Sequence, residues 1–165
     1  MTLGSLPAHG QVPAAVEGAL RESRRRAILQ GDALRGVAER LATDVGDDQV
    51  LHVDDVPHDW LLPRTAVVVH QAGAGISSAA LRAGVPSVTV PMHTDQPFWA
   101  RRLETLSAGT APLPMKRLTA AALATRLDEA TSCDLLRKGA GRVARVLQDE
   151  EGTAPLRSWL HQLDG

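Results

Sequence analysis

Apolar residues along this chain fall into short runs separated by amphipathic stretches, the pattern of strands alternating with helices. Ala27-Ile28-Leu29, closed by Gly31, and Val50 to Val53 each predict a short buried strand. Between them Leu34, Val37, Ala38 and Leu41 recur at i, i+3, i+4 and i+7, the spacing of one helix face. Upstream, the Ala-rich stretch 12–23 predicts a helix that tolerates Pro13 in its first turn, and Met1 to Leu6 reads as the stub of a strand turning at Gly4-Ser5 and Pro7. After a loop holding Pro57, Trp60 and Pro63, the run Thr65 to Val69 predicts a central parallel strand covered on both faces. It feeds Gly73-Ala74-Gly75, a short helix over 77–83 stopped by Gly84, and a strand from Pro86 to Val90. Pro97 opens the next helix, which ends near Gly109, and a short strand follows near Ala111 to Leu113. Thr119 caps a further helix, and two more are expected at 134–149 and 154–163. The expected fold is one doubly wound, Rossmann-like α/β domain spanning 1–165, without internal repeats or linkers.

Composition narrows the function. The net charge of -1 argues against nucleic-acid binding, which needs a basic surface, so an anionic ligand would be held by local amides and dipoles. One cysteine, Cys133, allows neither an intrachain disulfide nor a cysteine zinc site. No run approaches a membrane span and no signal peptide is recognisable, so the expected location is cytoplasmic. Four aromatic residues leave little for an aromatic carbohydrate platform, and the core must be built from Ala, Val and Leu.

Ligands of open α/β sheets sit where strands end and helices begin. In Val67 to Ser77 two glycines, Gly73 and Gly75, would let the backbone approach a ligand. The N–H groups of Ile76, Ser77 and Ser78 would then face a diphosphate with the helix dipole behind them, unless the glycines serve only tight packing. Gly4-Ser5 is a second turn of that kind, or an ordinary turn before Pro7. Asp95-Gln96 offers acceptors and a donor suited to adjacent sugar hydroxyls, or places a carboxylate near a helix N-terminus. His70 reads as packed and hydrogen-bonded, while His52, His58 and His93 lie near strand ends. No histidine and carboxylate cluster has metal spacing, Asp54-Asp55 reads as a solvated loop, and Arg24 to Arg26 as a solvated helix end.

The stretch Val53 to Lys116 carries PHDWL, a glycine turn after a hydrophobic strand, ALRAGVP and DQPFW in order. This combination resembles the donor-binding, C-terminal domain of sterol glucosyltransferases and of bacterial natural-product glycosyltransferases, which are inverting, metal-independent GT-B enzymes. LGSLP extends the resemblance to the first strand and turn. The resemblance implies that Ser5, Gln71, Gly73, Ala74, Gly75, Ile76 and Ser77 hold the donor diphosphate. Val56, Pro57 and His58 would meet the nucleotide base, and Asp95 and Gln96 the donor sugar. Trp60 and Trp99 are expected to pack their helices.

Two departures stand out. The family commonly has two histidines where this chain has His70-Gln71, then Gly-Gly where it has Ala72-Gly73. Gln71 offers only a neutral hydrogen bond where charge-assisted bonds to phosphate are about twice as strong. Ala72 changes less unless that position needs positive φ. The family's general base and acceptor pocket lie in a domain preceding the first strand here, so the expectation is a UDP- or TDP-sugar-binding domain, with no cofactor, acting with an acceptor domain or a separate acceptor subunit. Without it the chain is expected to be inactive, with self-association through the bare interdomain face a further expectation. The alternatives are a non-catalytic nucleotide-sugar-binding or interaction module with a degenerate diphosphate site, and a GT-B nucleotide-sugar epimerase.

Overall fold

A computed structural model describes residues 10–46 and 48–150, together with Thr153, Leu156, Trp159, Leu160 and Gln162. The stub at Met1 to Leu6, with Ser5, lies outside the described residues, as does most of the helix expected at 154–163.

Helix α1 (Gln11–Ser23) buries Val12, Ala15, Val16 and Ala19, the i, i+3, i+4, i+7 stripe of its sequence. It stops at Arg24, whose left-handed backbone (φ 50) directs its N–H to the Leu20 carbonyl. The exposed arginines that follow are the solvated helix end read from the sequence, and Arg25 reaches Asp128 at 2.8 Å. Strand β1 (Ala27–Gln30) pairs in parallel with β2 (Val50–Val53), Ala27 opposite Val50 and Gln30 opposite Val53, across helix α2 (Arg35–Val45). The α2 stripe of Val37, Ala38 and Leu41, with Leu34 just before it, is buried as its spacing requires.

The loop holding Pro57 and Trp60 contains a short helix, α3 (His58–Leu61), and a 3-10 turn at Leu62–Arg64. Strand β3 (Val68–His70) starts later than the apolar run because the Thr65 N–H and hydroxyl both bond the Leu62 carbonyl, which keeps the run's first residues in the turn. Helix α4 (Ala74–Ala83) then crosses to β4 (Ser87–Thr89), which pairs in parallel with β3, Val68 opposite Ser87 and His70 opposite Thr89. Gly84, left-handed at φ 69, ends α4 as its position in the sequence predicts. Helix α5 (Gln96–Thr105) follows, then α6 (Ala120–Ser132), whose cap Thr119 accepts the Ala122 N–H at 3.1 Å, and α7 (Asp134–Gln148).

No named strand forms at Ala111 to Leu113, yet the backbone there runs beside β4. Thr110 N–H bonds the Ser87 carbonyl at 3.0 Å and Leu113 N–H the Thr89 carbonyl at 2.9 Å. Successive β3 residues enter different cores, which is the period-2 consequence of a strand covered on both faces. Val69 joins Val16, Leu29, Leu41, Val88 and Leu123, whereas Val68 joins Leu62, Ile76, Ala80 and Val85. Each buried Val or Leu contributes roughly 1.5–3 kcal/mol relative to exposure. Both pairs are parallel, so the loops after β2, β3 and β4 lie at strand carboxyl ends, where ligands of α/β sheets bind.

Candidate functional site

His70 ends β3 fully buried, and its Nδ1 accepts the N–H of Ala72 at 3.0 Å. Ala72, also fully buried, has φ 68, the left-handed conformation that side chains disfavour. The position does need positive φ, and the sequence supplies alanine there. Gly73 returns to extended backbone (φ -64, ψ 152), and α4 begins at Ala74.

This start moves the ligand-facing amides. Ser77 N–H is already bonded to the Gly73 carbonyl at 3.0 Å, so Ser77 and Ser78 lie inside the helical ladder. The groups without an intrahelical acceptor are those of Ala74, Gly75 and Ile76, at the positive end of the helix dipole. Of the three amides expected to face outward, that of Ile76 has no intrahelical acceptor, whereas those of Ser77 and Ser78 are spent within the helix and the amides of Ala74 and Gly75 take their place. Ala74 and Gly75 are exposed, and no described residue lies within 4 Å of where a Cβ on Gly75 would stand. Packing among the described residues does not demand that glycine, and its open side leaves room for a ligand against the backbone. Neither Gly73 nor Gly75 has positive φ.

Polar atoms without a partner among the described residues gather around this turn. They are His70 Nε2, Gln71 Oε1, Ser77 Oγ and Thr89 Oγ1, all buried. Burial is the chief reason that His70 is pushed down to about 3, so its ring is neutral. With Nδ1 accepting, the ring proton belongs on Nε2. Gln71 is half-buried, its Nε2 lying 3.4 Å from the space a Gly73 Cβ would fill.

The second loop follows β4. Asp95 stands just before α5, where Oδ1 accepts the Thr94 hydroxyl at 3.1 Å and Oδ2 the Trp99 indole N–H at 2.9 Å. Its own backbone N–H, then Trp99 and Thr94, hold this exposed carboxyl below the usual range. Gln96 is buried, its Oε1 accepting the N–H groups of Met92 at 2.8 Å and His93 at 3.3 Å. That oxygen is committed to shaping the loop, and only the amide nitrogen of Gln96 remains for a ligand. The Asp95–Trp99 bond was not foreseen, although the i, i+4 spacing of the two residues is its signal. Trp99 is half-buried and meets the exposed Phe98 edge-on, centroids 5.2 Å apart.

The third loop follows β2. Asp55 Oδ1 takes the Val56 N–H at 2.9 Å, and the Pro57 carbonyl accepts from Trp60 and Leu61. The Val56 carbonyl and His58 N–H are thereby left as the main-chain groups suited to a base edge. The ring of His58 meets Gln30 Oε1 at 3.3 Å, tying the loop to the end of β1. Trp60 does not pack inward as expected; it is 55% exposed, with the Arg64 guanidinium 4.7 Å over its ring. Asp54 pairs with Arg35 at 2.5 Å, and no group of three or more metal-ligating side chains gathers among the described residues. No helix among them is long and apolar enough to cross a membrane.

Comparison with known proteins places this geometry. Residues 36–155 match the erythromycin biosynthesis protein CIII-like, C-terminal domain family. Over 156 residues the chain is 38% identical to O-mycaminosyltylonolide 6-deoxyallosyltransferase of Streptomyces fradiae, covering 92% of this chain and 35% of that protein. Over 151 residues it is 33% identical to a sterol 3-beta-glucosyltransferase of Arabidopsis thaliana, covering 92% of this chain and 23% of that one. The chain thus spans about a third or less of the length of these relatives. Among solved structures, a UDP-glucose: anthocyanidin 3-O-glucosyltransferase in complex with UDP superposes with a TM-score of 0.77 at 23% identity, over 92% of this chain and 36% of that one. The glycotransferase of kitacinnamycin gives 0.76 at 22% identity, over 98% and 41%. Both are GT-B glycosyltransferases, and the α/β fold is that of one Rossmann-like half.

Proposed function

The chain belongs to the erythromycin biosynthesis protein CIII-like C-terminal domain family of glycosyltransferases, and on that premise we propose that it binds a nucleoside-diphosphate sugar, UDP- or TDP-linked. The observation that carries the reading is the exposed N-terminus of α4 at the carboxyl end of β3, where the amides of Ala74, Gly75 and Ile76 have no acceptor among the described residues. A diphosphate there meets three converging N–H donors and the positive end of a ten-residue helix, the arrangement that stabilises a leaving diphosphate without a metal. Among the described residues Gln71 and Ser77 complete the diphosphate side. The loop of Val56, Pro57 and His58 takes the base, and Asp95 with the Gln96 amide nitrogen takes the sugar.

In the transfer itself, an acceptor hydroxyl on a small lipophilic or natural-product molecule attacks the anomeric carbon from the face opposite the diphosphate. The configuration inverts and the nucleoside diphosphate departs. The described residues are assigned donor binding only. The base that deprotonates the acceptor comes from an acceptor-binding domain or subunit, without which the proximity term is lost and transfer does not occur. Phe98, 62% exposed just after the sugar loop, gives such a partner an apolar contact.

Gln71 favours a second reading, a binding module that no longer catalyses, because its buried Oε1 has no partner among the described residues and an amide carries no charge to phosphate. Calorimetric titration with UDP, TDP and their glucose conjugates, beside Gln71→His, tests both. Saturable binding of one diphosphate, tightened by the histidine, is the expected result. Binding by neither protein overturns the donor-site reading.

A further inference from the structure

Four non-glycine residues among those described have left-handed backbones: Arg24, Ala72, Thr94 and Ser107. Arg24 and Ser107 follow α1 and α5, where that conformation closes the last turn of a helix. Ala72 forms the kink after β3. Thr94, at φ 56, follows no helix and alone of the four is β-branched, the side-chain type that tolerates this conformation least. It stands between β4 and α5, in the loop assigned to the donor sugar.

The Gln96 N–H bonds the His93 carbonyl at 3.2 Å, and Asp95 follows Thr94 with φ -83 and ψ -9. A positive φ at the first central residue with this conformation at the second is the type II′ turn, whose first central position glycine fills without strain. The sequence places threonine there. A strained residue persists where its surroundings over-determine it. Here Gln96 Oε1 holds the N–H groups of Met92 and His93, and the Trp99 indole holds Asp95 Oδ2 at 2.9 Å.

What threonine adds to a glycine turn is a hydroxyl. Its Oγ1 lies 3.1 Å from Asp95 Oδ1 and 2.8 Å from the His93 carbonyl oxygen, so one proton faces two acceptors. Charge-assisted bonds are about twice as strong as neutral ones, and the His93 carbonyl already accepts the Gln96 N–H, so the carboxylate takes the proton. His93 Nδ1 stands 3.3 Å from the same Oγ1 and can donate to it in the tautomer that carries its proton there. A free Asp carboxyl turns over a broad range. With Thr94 on one oxygen and Trp99 on the other, this exposed carboxylate is held at one angle, its remaining lone-pair capacity facing a fixed direction. Beside it Gln96, only 5% exposed, keeps its amide nitrogen without a partner among the described residues.

We infer that Thr94 is a positioning residue for the donor sugar: its hydroxyl fixes the Asp95 carboxylate so that a sugar hydroxyl meets an acceptor already oriented. That bond is the reason a threonine stands at a glycine position. The inference rests on the donor-site reading and adds to it the residue that sets how firmly the sugar is held, as distinct from the base and the diphosphate. Thr94 acts through Asp95 and need not touch the sugar itself.

The test is calorimetric titration of UDP and UDP-glucose into the unsubstituted chain, Thr94→Gly, Thr94→Ser and Thr94→Val. Glycine relieves the backbone and removes the hydroxyl. Its urea midpoint is expected to rise and its Kd for UDP to stay, while its Kd for UDP-glucose rises roughly threefold to tenfold as the released side chain must be ordered on binding. Serine keeps the hydroxyl and is expected to bind UDP-glucose as the unsubstituted chain does. Valine keeps the strain and loses the hydroxyl, so it is expected to match glycine in UDP-glucose affinity without the rise in midpoint; should it not fold, glycine and serine decide. A second readout needs no ligand. The Asp95 backbone N–H, then Trp99 and Thr94, hold that carboxyl below the usual range, so by carboxyl carbon NMR it is expected to titrate higher in Thr94→Gly than in Thr94→Ser. Equal UDP-glucose affinity in the glycine and serine variants, with UDP still bound, overturns the inference and leaves the donor-site reading standing. Equal weakening of UDP and UDP-glucose by glycine, or equal Asp95 titration in the two variants, overturns it as well. Failure of the unsubstituted chain to bind UDP overturns the donor-site reading and this assignment with it.

Discussion

The ring of His70 holds the main chain of Ala72: its Nδ1 accepts the Ala72 N–H at 3.0 Å, within a turn where both residues are fully buried. The bond closes the kink that ends β3 and aims the start of α4. It also keeps an alanine at φ 68, where its Cβ crowds the carbonyl at a cost of roughly 1–2 kcal/mol. Glycine removes that cost and loses roughly 0.5–1 kcal/mol of unfolded-chain entropy. Ala72→Gly is therefore expected to stabilise the fold by up to about 1 kcal/mol. A urea midpoint that rises at unchanged m-value would show it, and a fall would mean that the Ala72 methyl contributes more packing than its backbone costs.

The same ring makes stability depend on pH. Burial depresses His70 to about 3, and His58 adds to the effect when charged. A free histidine titrates near 6.5. Between those values the unfolded chain binds one more proton than the folded chain, so stability falls as pH drops through about 6.5 toward 3, by about 1.4 kcal/mol per pH unit, and is level above the window. His70→Asn keeps an acceptor for Ala72 but cannot titrate. The difference in unfolding free energy between the two proteins is expected to slope by one proton between pH 4 and 6, as read by denaturant titration. Equal slopes would mean that water reaches the ring.

Much of this was legible in sequence because the signals were local. The i, i+3, i+4, i+7 stripe from Leu34 to Leu41 required a buried helix face, and Thr119 and Gly84 marked helix ends by their own chemistry. The glycine turn after an apolar strand located the candidate diphosphate site. What was misplaced depends on hydrogen bonds that spacing does not reveal. Thr65 bonding back to Leu62 delays β3, and Gly73 accepting from Ser77 starts α4 one turn ahead of the expected free amides. Gln96 read as a ligand group because its type suits hydroxyls; what its type does not reveal is that two backbone N–H groups of its own loop hold its oxygen and leave only its amide nitrogen for that role. Trp60 read as packing, yet Arg64 one turn along the chain covers an exposed face instead.

Gly139 in α7 faces the backbone of Ser107, and a Cβ there would overlap the Ser107 carbonyl. Ser107 is itself left-handed at φ 52, and its N–H bonds Glu104, so the carbonyl has little freedom to retreat. Gly139→Ala improves helix propensity by roughly 1 kcal/mol yet must push α7 off the α5 end, an overpacking cost of roughly 1–3 kcal/mol or more. The expected balance is a loss of about 1–2 kcal/mol in thermal or denaturant unfolding, with donor binding little changed because Gly139 lies outside the loops at the strand ends. A neutral result would mean that α7 shifts freely.

The donor-site reading makes its sharpest demand at Ala74. This is the first residue of α4, a position that accepts proline without loss of an intrahelical hydrogen bond, and Gly73 before it already has the extended backbone that a following proline requires. Ala74→Pro therefore deletes one of the three outward amides while the helix, and with it the unfolding midpoint, is expected to hold. Hydrogen bonds to charged groups contribute about 1.5–3 kcal/mol, so UDP affinity should weaken roughly tenfold to a hundredfold by calorimetry. Ala74→Gly keeps the N–H and controls for the lost methyl; it should bind within a few-fold of the parent. If the proline variant bound UDP as tightly as the glycine variant, the N-terminus of α4 would not be where the diphosphate rests. The neutral amide of Gln71 would then say nothing about affinity.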